Sequence, residues 1–125
     1  MQRRRLILVT GGVLGVAAMI SLGVIATRPI VHTRQGNTEA YIRIYSDMLE
    51  QHRRELGRYP TTEEWPQALY EPGRTAKAPW DGWGNPLQYR YPSQRKDVPF
   101  ELWSYGADGK PGGEGDNSDI GNWKR

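Results

Sequence analysis

The chain has 125 residues, no cysteine and only two histidines, so one small domain is expected, without disulfides, thiolate metal sites or a histidine-rich centre. Its formal charge of +3 comes from Arg3, Arg4 and Arg5; without them basic and acidic residues balance at 14 each, which excludes a basic fold built to grip nucleic acid. With 15 Gly and 9 Pro, much of the chain is expected to be turn and loop.

Residues 1–5 read as a basic cytoplasmic flank. Residues 6–27 carry no charge, and such a run of roughly 22 residues makes about 33 Å of helix, enough to cross a bilayer. The flanking arginines orient this transmembrane helix with its N-terminus in the cytoplasm. A retained anchor is favoured over a cleaved signal peptide, whose apolar core is normally about 7–15 residues. The expected location is therefore the inner membrane, single-pass, with the C-terminal domain in the periplasm. Residues 28–36 read as a connector, where Pro29 disturbs a continuous helix.

The outer domain is expected over residues 37–125. Asn37 or Thr38 is the expected cap of a helix of about five turns. Tyr41, Ile44, Tyr45, Met48, Leu49, His52 and Leu56 recur at three- and four-residue steps and form its apolar stripe. Gly57 ends it, with Arg53 and Arg54 in the last turn. Thr61 and Glu64 have capping-box spacing and predict a short helix over 62–70, into which Pro66 fits badly. Residues 80–86 read as a rigid aromatic turn. Residues 87–91 and 100–105 are the two strand candidates, and the long helix is the element available to cover them.

Residues 105–123 combine four carboxylates, two Asn and many glycines. Hard cations such as Ca²⁺ take oxygens from such residues, and glycines let carbonyls turn inward. The spacing is not that of an EF-hand. On composition alone, a solvated acidic tail is an equal reading.

Three stretches carry a family resemblance. They are Gly57-Arg58-Tyr59-Pro60-Thr61-Thr62-Glu63-Glu64, then Asp81-Gly82-Trp83-Gly84-Asn85-Pro86-Leu87-Gln88-Tyr89-Arg90, then Trp103-Ser104-Tyr105-Gly106-Ala107-Asp108-Gly109 through Asp119-Ile120-Gly121-Asn122-Trp123. In that order they resemble the C-terminal domain of the secretion protein G family, the major pseudopilins of type II secretion. The resemblance implies an α+β, type IV pilin-like fold: an N-terminal membrane helix and an amphipathic helix packed on a small antiparallel sheet, with a C-terminal calcium loop. It implies one Ca²⁺ held by the Tyr105 and Lys110 carbonyls and the Asp108 and Asp119 carboxylates; between these the family varies, and Asp116 is the candidate here for the remaining carboxylate, with Ser118 as a further oxygen. It implies other pseudopilins or secretion-apparatus subunits as partners, including copies of the chain itself. The family's prepilin peptidase motif is not matched. Arg5 stands where the family has glycine before the cut, and Thr10 stands where it has Glu.

Rival functions find little footing. His32 lies in the membrane-proximal connector, no catalytic motif accompanies His52, and Asp81, Asp97 and Glu101 show no glycosidase-like spacing, so an enzyme with a small-molecule substrate is not expected. His52 reads as a packing residue. Trp80 and Trp83 read as packing between helix and sheet rather than as an aromatic binding face. Glu39, Arg43, Asp47, Glu50, Arg53, Arg54 and Glu55 give the helix both signs of charge, which suits either complementary neighbours or solvent. The expected function is a structural subunit or membrane-anchored accessory of a type II secretion pseudopilus or related export apparatus. The alternative is a divergent calcium-stabilised periplasmic binding module outside any filament.

Overall fold

A computed structural model describes residues 33–123. The predicted basic flank, the membrane span over 6–27 and most of the connector lie outside the described residues. Among the described residues, no helix is long and apolar enough to cross a membrane.

Helix α1 spans Arg34–Leu56, 23 residues. It starts earlier than the expected cap at Asn37 or Thr38, so the last residues of the predicted connector are helical. Thr33 is the cap: its hydroxyl accepts the Gly36 N–H at 2.9 Å, and its carbonyl accepts the Asn37 N–H. Thr38 lies inside the helix, fully buried, and donates its hydroxyl to the Arg34 carbonyl at 2.8 Å. Gly57 closes α1 in the left-handed conformation (φ 79°), donating to the Arg53 carbonyl. His52 does more than pack. Its Nδ1 lies 2.9 Å from the Arg58 carbonyl, which only accepts, so Nδ1 carries the proton and ties the chain beyond the cap back to the helix.

The buried stripe of α1 is narrower than its apolar spacing suggests. Thr38, Ile42 and Leu49 are buried and Tyr45 is half-buried, whereas Tyr41, Ile44 and Leu56 are exposed. A sheet with strands of two to four residues covers only a thin arc of a helix.

The capping box at Thr61 and Glu64 forms with both reciprocal bonds, at 3.1 and 3.3 Å. No α-helix follows. Turns lead into a 3₁₀ segment, Gln67–Leu69, because Pro66 has no N–H to continue a helical ladder.

The sheet has three antiparallel strands in the order β1 (Gln88–Arg90), β2 (Glu101–Ser104), β3 (Ile120–Gly121). Tyr89 pairs with Leu102, and Ile120 with Ser104. The two predicted strands are present, and β3 is an addition from within the glycine-rich stretch. Leu87, Tyr89, Phe100, Leu102 and Ile120 meet Ile42 and Leu49 in the core, with Tyr59 at its edge. Four aromatic rings thicken this core: Trp65 stacks on Tyr89 at 5.0 Å, and Tyr59 lies 5.1 Å from Phe100.

Candidate functional site

The predicted calcium loop is closed at its base by one buried carboxylate. The turn over residues 81–85 places Asp81, only 5% exposed, between helix and sheet. Asp81 Oδ1 accepts the main-chain N–H groups of Trp83 and Asn85, both at 2.9 Å. Its Oδ2 accepts the Ser104 hydroxyl at 2.6 Å, and Ser104 Oγ in turn accepts the Gly106 N–H at 2.9 Å. The Asn85 side-chain amide donates to the Gly106 carbonyl at 3.0 Å. The Gly82 N–H donates to Thr38 Oγ1 at 2.8 Å, which fixes the same turn to α1. Helix, sheet and loop entry thus share one polar node. Sequence reading missed it, although the Asp-Gly-Trp-Gly-Asn run was its signal: an acid two residues before an N–H it can accept is an Asx-turn pattern.

From that base the loop folds back on itself. Gly106 has φ 80° and lies against the main chain of Asp116 and Asn117, so a side chain there meets both strain and backbone. The Ala107 N–H donates to the Asp116 carbonyl at 2.8 Å. A 3₁₀ turn, Gly115–Asn117, precedes Ser118 and β3. At the exit, Trp123 packs against Trp103 at 6.2 Å with the Arg95 guanidinium 4.5 Å over its ring.

The sequence-predicted ligands lie along this closed loop. Asp108 accepts the Lys110 N–H at 3.0 Å, and Asp119 accepts the Gly112 N–H at 3.1 Å. Ser118 donates its hydroxyl to the Gly115 carbonyl at 2.7 Å. Asp108, Lys110 and Asp116 are exposed, whereas Tyr105, Ser118 and Asp119 are half-buried. Among the described residues, no group of three or more His, Cys, Asp or Glu is placed to hold a metal ion, so Asp108, Asp116 and Asp119 do not gather as such a group. The donor chemistry still fits calcium, which takes carbonyl and hydroxyl oxygens beside carboxylates and needs no carboxylate triad.

The other singled-out residues have structural partners. Glu101, buried, accepts the Gln94 N–H at 2.9 Å and faces Arg90 at 3.6 Å. Trp83 packs on the core as expected, but Trp80 does not: the residue is 61% exposed. Glu64 pairs with Arg58 at 2.7 Å, and that hydrogen bond, with the Thr61 N–H, holds its carboxyl down to about 2. Burial pushes the Tyr89 hydroxyl above its ordinary range while it donates to the Pro60 carbonyl at 2.8 Å.

A long helix against a three-stranded antiparallel sheet, with a glycine loop closed at both ends, defines a pilin-type head. The chain belongs to the type II secretion system protein G family, whose model matches residues 29–123. It is 46% identical over 68 residues to the type II secretion system core protein G of Pseudomonas aeruginosa, covering 54% of this chain and 46% of that one. The corresponding protein of Klebsiella pneumoniae is 33% identical over 126 residues, covering 84% and 86%. The matches to the Pseudomonas and Vibrio cholerae proteins span about half the length of those curated relatives. In structure, the chain is similar to the major pseudopilin of the type 2 secretion system of enterohaemorrhagic Escherichia coli. That likeness has a TM-score of 0.55 and 27% identity, and covers 94% of this chain and 98% of the other.

Proposed function

We propose that the chain is a structural, non-enzymatic subunit of a type II secretion pseudopilus, assembling with other subunits of that apparatus. The family match over residues 29–123 carries this reading, because it includes the helix, the sheet and the loop together. The binding-module alternative draws no support from the relatives. Residues 6–27 are the membrane anchor in this reading, with the head outside the cytoplasm. The full chain, produced with a type II assembly machinery, should be recovered as a sedimentable polymer. Recovery only as dispersed single chains in the membrane refutes the reading.

Calcium is the second part of the proposal. The Tyr105 and Lys110 carbonyls, the Asp108, Asp116 and Asp119 carboxylates and the Ser118 hydroxyl would hold it. When bound, the ion supplies positive charge that neutralises loop carboxylates and fixes their carbonyl neighbours. This chain's own node at Asp81 closes the loop base independently of the ion. Millimolar calcium should raise the melting temperature of the full chain in detergent, and a chelator should reverse it. A melting temperature indifferent to both removes the site.

A further inference from the structure

The turn over residues 106–109 lies among three of the proposed calcium donors, Tyr105, Asp108 and Lys110, and a side chain outside that donor set holds it. Asn85 closes the Asp81 turn with its main chain: its N–H donates to Asp81 Oδ1 at 2.9 Å, and its carbonyl accepts the Asp81 N–H at 2.7 Å. Its side chain reaches the loop from there. The amide nitrogen lies 3.0 Å from the Gly106 carbonyl oxygen and 3.4 Å from that of Ala107. Both oxygens only accept, so the NH₂ end of the amide is the end that faces them. Gly109 sits over the same amide, since a Cβ there would lie 3.3 Å from Asn85 Oδ1.

These bonds sort the carbonyls of the loop. The Gly106 carbonyl also accepts the Gly109 N–H at 3.2 Å. The Glu114, Gly115 and Asp116 carbonyls accept the N–H groups of Asn117, Ser118 and Ala107. Among the described residues, no hydrogen bond takes the Tyr105 or the Lys110 carbonyl. These two are the carbonyls assigned to calcium above. A glycine-rich loop left to itself has the backbone freedom to present many different oxygens, and each arrangement it loses on binding weakens the ion's hold.

We infer that Asn85 is a positioning residue of the calcium site: by holding the Gly106 and Ala107 carbonyls it fixes the turn that leaves the Tyr105 and Lys110 carbonyls open on either side of Asp108. The inference rests on the calcium reading above and deepens it, because it makes affinity depend on a residue outside the donor set. Partners that orient metal ligands without touching the ion typically carry about 10–100-fold of the affinity.

The test is a calorimetric titration of calcium chloride into the full chain in detergent, after removal of metal with a chelator. Asn85→Ala keeps both main-chain bonds to Asp81 and loses only the side-chain contacts to the two carbonyls. Its calcium Kd should rise by about tenfold or more. Asn85→Asp keeps the shape, exchanges the donor for an acceptor and adds a negative charge beside the loop. Charge alone would tighten cation binding, but the lost donation should weaken it, again by about tenfold or more. Gly84→Ala is the control for a turn that is merely less stable: it is strained at φ 88° but keeps the amide, so its Kd should stay within about threefold of the parent value.

An Asn85→Ala chain that binds within about threefold of the parent overturns the inference. So does an Asn85→Asp chain that binds as tightly as the parent, and should the alanine variant fail to fold, the aspartate variant decides alone. A Gly84→Ala chain that loses as much affinity as Asn85→Ala also overturns it, because general loosening of the turn then accounts for the effect. A parent chain that binds no calcium removes the calcium reading and the inference together; a parent that binds, with both Asn85 variants unchanged, removes the inference alone.

Discussion

Replacing Asp81 with alanine should unfold the head more readily than any change on its surface. The substitution removes the acceptor for two main-chain N–H groups at 2.9 Å and for the Ser104 hydroxyl at 2.6 Å. All three then sit in a place where the parent side chain is only 5% exposed. A buried donor left without an acceptor costs about 1–3 kcal/mol, and water entering the space recovers part of that. The sum is on the order of 3–5 kcal/mol. For a domain of this size that corresponds to a fall of roughly 15–25 °C in melting temperature. Asp81→Asn is the informative companion. Its amide oxygen still accepts both N–H groups, but its NH₂ faces the Ser104 hydroxyl, which must turn, so the loss should be about 1–2 kcal/mol. Near-ultraviolet circular dichroism of the full chain in detergent reads both, because the tryptophans lie around the node. An alanine variant within about 3 °C of the parent, or an asparagine variant as damaged as the alanine one, refutes the account of the node.

Gly82→Ala should be the more harmful of two neighbouring glycine changes, because its Cβ would overlap the Arg34 main-chain carbonyl. Gly84→Ala meets no neighbour within 4 Å and bears only the backbone cost of φ 88°, about 1 kcal/mol, so the two urea midpoints should separate clearly. Glu64 gives an acid signature. Its carboxyl is held at about 2 in the folded head against 4.5 as the ordinary value, so its contribution is complete above pH about 4.5 and is lost as pH falls toward about 2. The stability gap between parent and Glu64→Gln should shrink over that window and stay level above it; a gap that grows on acidification contradicts the assignment.

The parts of the head that follow local rules were legible in the chain. Gly57 ends the helix, Thr61 and Glu64 cap each other, and the alternation about Tyr89 marks the strand Gln88–Arg90. Three features were not. The cap at Thr33 precedes a polar first turn, so the apolar period starts too late to locate it. Three- and four-residue spacing marks a stripe but not which arc of it the sheet covers, and so Ile44 at 53% exposure and buried Ile42 exchanged places. β3 is two residues long and exists only through its pairing with β2, a contact that no local pattern announces. The site divides in the same way. Its oxygen-rich composition is evident in residues 105–119, whereas the Asp81 node joins residues up to 44 positions apart.

The two ends of α1 are fastened to the head separately. Near its start, Thr38 Oγ1 accepts the Gly82 N–H at 2.8 Å; near its finish, the Tyr59 hydroxyl donates to Glu50 at 2.8 Å. Between them lie Ile42 and Leu49 in the core. Separating α1 from the head therefore requires breaking both fastenings and the core contacts between them, in a chain that has no cysteine and so no disulfide to hold them.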